Sequence, residues 1–526
     1  MLLKTVWTGA RCAPWALPLL LVGLLVTRPA VAATISATSC STSAVQTAIN
    51  SAVDGDTVLV PAGTCSWTSG ITIRGKGIKL QGGGSGRIIA RSTTSVSVGS
   101  GSKTFVTQSG LNISPGQTLR ISQLGSRRNF VEGTVTSYSG TTLIINATNA
   151  GGSGTPKLWI ISTQPTTVIT HNTPGILIDV DEDTSHHVEI SDIKIANGSG
   201  SGRRVSVSRN GQTGKAVLLH DCWLETANGA ALYWTDSNRG VIWNCSFDSS
   251  PFSMDVLAIH QQAIGVTTSW TTPSTMGSAD PTGQSNLYVE DSDFHAFLHA
   301  TDLDHNARTV FRHVLFNHAA IGTHGPDTSV WGQRHFEVYD SEFVFSGYSD
   351  GTTLPLNHWF FVRGGTFVAT DNIIPVIDSQ DYPNKPEVEI TVMNLQRNAG
   401  PNPCWGAGIP GIQYPSPRQA GLGRVTGNGR DGLGRSTDST TYVGDSEPIY
   451  IWNNTSNGAL NVGFSDFGEC SGADRTSDYV RPGRDYFLNA GAKPGYQKFV
   501  YPHPLRTQAP TGSAPHAPSG LRIIPE

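Results

Sequence analysis

Nine side chains able to move protons or carry charge crowd into 33 residues: His295, His299, Asp302, Asp304, His305, Arg308, His318, His324 and Asp327. Asp302 and Asp304 are two apart, which puts both on one side of an extended strand, where mutual repulsion raises one carboxyl's pKa. A protonated and an ionised carboxyl together can hydrolyse a glycosidic bond, one donating to the leaving oxygen and the other activating water. His324 follows 20 to 22 residues later as an assisting group. Glu290, His299, His305 and Arg334 are candidates for gripping sugar nearby. Asp236 is placed to stack over Asp304, and Trp234 offers an aromatic platform, with Trp331 and Trp359 as alternatives.

A second set recurs at wider spacing. His220, Trp243, Glu290, Arg312, Tyr339 and Arg363 each precede an Asp, Asn, His or Gly that closes an alternating apolar segment. If these segments stack, Glu290, Arg312, Tyr339 and Arg363 form one polar strip. Arginines there would hold an acidic sugar, while Tyr339 or a neutral Arg acts as base in β-elimination. The competing reading is a self-satisfied ladder, with Glu290 on Arg312 and Arg363 on Tyr339, worth less than about 1 kcal/mol per exposed pair.

Both sets require elements that bring distant residues into lateral register. The closing residues are Asp192, Asp221, Asn244, Asp291, His313, Asp340 and Gly364, giving steps of 29, 23, 47, 22, 27 and 24. The step of 47 is two turns, or one turn with an insertion. Strand-type alternation at a period of 22 to 29, without helical periodicity between strands, is what one coil of a parallel β-solenoid requires. The Leu consensus and Asn ladder of leucine-rich repeats are missing. Each coil turns at a residue that tolerates left-handed geometry, and successive backbones lie about 4.8 Å apart. Cys222 and Cys245 each follow a closing residue, so they should stack in adjacent coils and form a disulfide.

The start fits the same architecture. Residues 43 to 53 read as an amphipathic helix capping the first coil, followed by Gly55-Asp56-Thr57-Val58-Leu59-Val60-Pro61-Ala62-Gly63-Thr64, then Ile71-Thr72-Ile73 and Ile78-Lys79-Leu80-Gln81-Gly82. This opening resembles that of right-handed parallel β-helix proteins of the pectin lyase superfamily, over roughly residues 38 to 92 and 165 to 465. The resemblance implies an all-β fold shared by several activities and by non-enzymes. Clustered aspartates followed a coil later by Gly322-Thr323-His324-Gly325 are similar to the polygalacturonase arrangement. The Asn-Thr-Asp and Arg-Ile-Lys signatures of that group are absent, as are those of pectate lyases. Residues 95 to 162 break the period with short strands split by Gly and Ser, and read as an inserted antiparallel β module resembling one in phage tail proteins. Long loops are expected at about 250 to 285 and 398 to 440, and an aromatic tail and loose end over 471 to 526, the loose end from 507.

Composition sets the outer bounds. Charged residues are 14% and Gly 59 of 526, which excludes coiled coils and helical bundles. A net charge of −4 gives no basic surplus for nucleic acid. Residues 1 to 32 carry Lys4 and Arg11, an apolar run from Trp15 to Val26 and Ala30-Val31-Ala32. This reads as a secretory signal, with cleavage expected before Ala33, and is too short to span a membrane, so no membrane association is expected afterwards. Six cysteines then remain: Cys40, Cys65, Cys222, Cys245, Cys404 and Cys470. An even number in an exported chain points to disulfides, and none has zinc spacing. No cofactor is expected, calcium being the one cation that clustered carboxylates would suit. Asp179, Asp181 and Asp183 read as a solvated turn. No signature of an oligomeric state is present. The expectation is a secreted parallel β-helix acting on a polysaccharide, by hydrolysis at Asp302 and Asp304 ahead of β-elimination at Arg312, Tyr339 and Arg363, with a non-catalytic glycan-binding adhesin as the rival from another class.

Overall fold

The computed structural model describes residues 32–124, 126–181, 186–208, 215–235, 239–249, 256–263, 280–305, 307–323, 333–344, 356, 358–363, 365–376, 391–396, 448–465, 482–483 and 485–507. Alternating Val, Ile and Phe positions give strands that pair in parallel with the equivalent strand of the next coil, and the result is a parallel β-helix. Each coil contributes to three faces. The first is the twelve-stranded sheet, running through Val188–Ser191, Val217–His220, Gly240–Trp243, Leu287–Glu290, Arg308–Arg312, His335–Tyr339 and Thr366–Thr370. The second and third belong to one sixteen-stranded sheet. Its strands Asp293–Asp304 and Leu315–Thr323 turn the corner between the two faces.

The closing residues of the first face hold the left-handed conformation. Asp192, Asp221, Asn244, Asp291, His313 and Asp340 have φ between 47° and 61°, a region where Asn and Asp are enriched. The strand Gly240–Trp243 pairs directly with Leu287–Glu290, so the 47-residue step is one coil with an insertion. The seventh position differs from expectation. The strand His358–Val362 lies on the third face, and the first face continues through Thr366–Thr370 to Asp371, with φ 57°.

Inward residues stack coil on coil. Phe247, Phe294, Phe316 and Phe343 form one column with centroids 4.6 to 5.2 Å apart, each ring contributing about 1.5–3 kcal/mol by burial. The helix Thr42–Ser51 buries Val45, Ala48 and Ile49 against the first coil. Ser41 accepts from the Ala44 N–H at its start. Cys40 and Cys65 form a disulfide. Cys222 and Cys245 stack as expected but are buried thiols, not a disulfide. Side chains in register on neighbouring parallel strands keep their Cβ atoms about 4.8 Å apart, wider than the ~3.8 Å a disulfide prefers. Cys404 and Cys470 lie outside the described residues.

Two segments of the chain cover two of the faces. Six antiparallel strands between Ile88 and Thr163 form the inserted module, slightly longer than the sequence suggests. It docks on the second face through Leu124 and Ile160 against Leu315, Arg91 on Glu342 at 2.9 Å, and Arg127 on Asp293 and Asp248. Burial raises Asp248 to about 6 although Arg127 opposes the shift. The tail covers the first face, where Phe499 and Leu505 pack with Trp243, Tyr288 and Tyr339.

Candidate functional site

On the third face, residues pointing outward form columns in strict register. One runs Asp179, Ser206, Tyr233, His260, Asp302, Gly322, Phe361, and beside it runs Thr235, Gln262, Asp304. Asp302 and Asp304 therefore share one side of one strand, as their spacing predicts. A histidine stands against each: His260 Nδ1 is 3.1 Å from Asp302 Oδ2, and His305 Nδ1 is 2.5 Å from Asp304 Oδ2. Asp304 also accepts from the His305 backbone N–H at 2.7 Å and from Gln262 Nε2 at 3.3 Å. The side chain of Asp302 is 18% exposed and that of Asp304 only 4%, so Asp302 is the carboxylate that meets a ligand first.

The column is aromatic on both sides of Asp302. Tyr233 stacks on His260 at 4.6 Å with planes 6° apart, and the Arg203 guanidinium lies 3.2 Å from the Tyr233 ring centre. Tyr233 Oη donates to Gln262 Oε1 at 3.0 Å, linking the two columns. Beyond Asp302, Gly322 leaves a notch: a Cβ there would stand 2.7 Å from the Thr301 carbonyl and 3.2 Å from His299. His299 stacks on Phe361 at 4.7 Å and meets His358. The assembly is a half-buried strip of polar and aromatic groups, able to stack a sugar and exchange protons with it.

Several expected site residues are elsewhere. Trp234 is fully buried in the core, because alternation turns it inward and its neighbour Tyr233 outward; a slip of one residue reverses a strand's faces. Trp359 is likewise buried. Glu290, Arg312 and Tyr339 do stack in register, yet the tail buries all three. Arg312 is ion-paired to Glu290 and donates to Tyr339 Oη at 3.2 Å and to the Phe499 carbonyl at 2.9 Å. Arg506 pairs with Glu290 at 2.7 Å. Burial opposes charge on Glu290, but Arg312 and Arg506 prevail and hold it below the usual carboxylate range. Arg363 is not in that column; it follows the third-face strand, its N–H donating to Thr323 Oγ1 at 3.1 Å. The strip proposed for β-elimination is thus internal. His295 lies under the module against Asn317, its pKa pushed down to about 3 by burial and Arg127. His318 and Arg334 are buried.

Asp179 and Asp181 lie on the strand Ile178–Asp181 of the third face and not in a turn, with Asp181 paired to Arg74 at 2.9 Å. Asp183, Asp236, His324, Asp327 and Trp331 fall outside the described residues. Among the described residues no three His, Cys, Asp or Glu side chains gather closely enough to hold a metal ion. Sequence reasoning missed Arg203, Tyr233, His260, Gln262, His358 and Phe361. His260 and Gln262 sit in a stretch read as loop, although Val256 to Ile259 is an apolar run that marks the strand Leu257–Gln262.

No family model matches this chain, and no curated protein matches it. Solved structures similar to it include an alginate lyase from Paenibacillus sp. str. FPU-7, 11% identical, TM-score 0.32, covering 82% of this chain and 98% of that one. The tailspike protein gp49 of Pseudomonas phage LKA1 is 11% identical, TM-score 0.24, covering 89% and 77%. The family 28 exopolygalacturonase of Yersinia enterocolitica is 11% identical, TM-score 0.26, covering 70% and 75%.

Proposed function

We propose that this protein is an exported enzyme that hydrolyses glycosidic bonds of a polysaccharide lying along the third face. One observation carries the reading: the chain covers its first two faces itself, and the third presents Asp302 and Asp304 side by side, each with a histidine. Two residues of extended strand separate their α-carbons by about 6.6 Å, near the carboxyl spacing of inverting glycosidases. Asp304, accepting from the His305 backbone N–H and from Gln262 with the His305 ring beside it, is the carboxylate that draws a proton from water. Asp302, more exposed, donates to the leaving oxygen. Tyr233, His299 and Phe361 supply stacking surface.

A second reading is β-elimination on a uronate, supported by the continuous stack of Arg203, Tyr233 and His260 ending on Asp302. Arg203 would neutralise the carboxylate and Asp302, backed by His260, would take the proton. Incubation with a polysaccharide panel separates the readings. Hydrolysis gives new reducing ends without ultraviolet absorbance, elimination gives both, and an adhesin gives neither. Asp302→Asn should lower reducing-end release by about 10²–10⁴-fold. Full activity in that variant would remove the hydrolytic assignment.

A further inference from the structure

His299 and His358 meet head on. Their Nε2 atoms are 3.3 Å apart, while the ring centroids are 5.6 Å apart with planes at 19°. That combination arises when two nearly coplanar imidazoles point their nitrogens straight at each other. Two rings converging on one metal ion would bring their centroids closer at the same nitrogen separation. A head-on contact holds one proton: with none, two lone pairs face each other, and with two, two N–H groups collide.

The surroundings say which ring owns that proton. His358 is buried, and among the described residues its Nδ1 meets no hydrogen-bond partner. Burial, reinforced by His299, holds its pKa far below the ordinary imidazole value, so the ring is neutral and carries a single N–H. Were the shared proton on His299, the N–H of His358 would have to sit on Nδ1, buried with no acceptor. Orphaned buried N–H groups are rare and costly. With the shared proton on His358, only a lone pair is left at Nδ1.

We propose that His358 donates its Nε2–H to Nε2 of His299 and so fixes His299 in the Nδ1–H tautomer, making His299 a hydrogen-bond donor and barring it from acting as a base. His358 is then a positioning residue. The role matters because His299 leans over Gly322, the residue in register with Asp302, where a donor would hold a sugar oxygen next to the proposed acid. Only that purpose rests on the cleavage reading; the tautomer does not.

The test is a long-range proton–nitrogen correlation spectrum of the full chain carrying ¹⁵N-histidine, with His299→Gln and His358→Gln used for assignment. His299 should show a protonated, pyrrole-type Nδ1 and a pyridine-type Nε2, and His358 the reverse. His358→Gln, which keeps an amide donor, should leave His299 unchanged, whereas His358→Phe should release it to exchange between tautomers. A wild-type His299 protonated at Nε2 would overturn the proposal, as would an unaltered His299 in a folded His358→Phe protein. Should the Phe variant not fold, the wild-type spectrum decides alone. An intact tautomer in a protein that cleaves no polysaccharide would count against the enzymatic reading and not against this one.

Discussion

Glu290 and Asp302 are outward-facing carboxylates on successive strands of one coil, and what covers them differs. Glu290 is sealed beneath the tail with Arg312 and Arg506. Removing one partner of such a pair strands a buried charge, so Arg312→Met should lower unfolding free energy by about 3–5 kcal/mol, read as a shift in denaturation midpoint. The double change Glu290→Gln with Arg312→Met should recover part of that loss. Asp302→Asn, isosteric and partly exposed beside His260, should cost less, about 1 kcal/mol. Another residue-scale contact bears on the export we propose. The Ala33 N–H donates to Asp56 Oδ1 at 2.7 Å, and Val53 N–H to Oδ2 at 2.9 Å. These backbone bonds, Val53 first, depress the Asp56 pKa. A chain cut before Ala33 would seat its new ammonium group on this carboxylate. N-terminal sequencing of secreted protein should therefore begin at Ala33; a start several residues away would refute the placement. The stability contributed by Asp56 should hold above its unfolded pKa and fade as pH falls through the depressed folded value.

Elements were legible where one physical requirement dominated. The left-handed turn admits few residue types, which is why six Asp, Asn and His positions are legible, although the 47-residue step from Asn244 to Asp291 leaves one coil or two open until the strand register is known. Asn244, with φ 51°, tests that requirement: Asn244→Val should cost about 1–2 kcal/mol, measured as a lowered melting temperature. Where alternation alone had to decide, it failed. Phe360-Phe361-Val362 alternates like a first-face strand, and nothing in its composition says that it belongs to the third. Trp234 and Tyr233 are both plausible platforms, and only register chooses between them. The tail illustrates a third case, because its aromatic density signalled packing without naming the face it would cover. Glu337 lies under it, accepting from Tyr496 Oη at 3.0 Å, and burial raises its pKa to about 8. The folded state therefore keeps a proton that the unfolded chain has released above its ordinary carboxylate pKa. Stability should fall as pH rises from about 4.5 to 8, and Glu337→Gln should flatten that part of the profile in thermal melts.

At the scale of the whole molecule, the solenoid, the capping helix and the antiparallel insertion could all be read from periodicity and turn chemistry. The choice of face could not, because it depends on which outward surfaces the chain itself occupies. Two polar groupings compete for sugar in the sequence, Asp302 and Asp304 ahead of the strip of Glu290, Arg312, Tyr339 and Arg363. In the folded protein the module and the tail occupy the outer surfaces of two faces, and the chemistry we propose falls to the third. The tail has a further consequence that concerns time. Residues 496–506 lie against rungs made from residues 243 to 340, so those rungs come earlier in the chain than the segment that covers them. Without that segment Glu290 would lose Arg506 and Arg312 would lose the Phe499 carbonyl, and both would meet water. A premature stop near residue 480 should thus yield a species whose bare, charged flank invites other chains or proteases, even though every coil beneath it has been made.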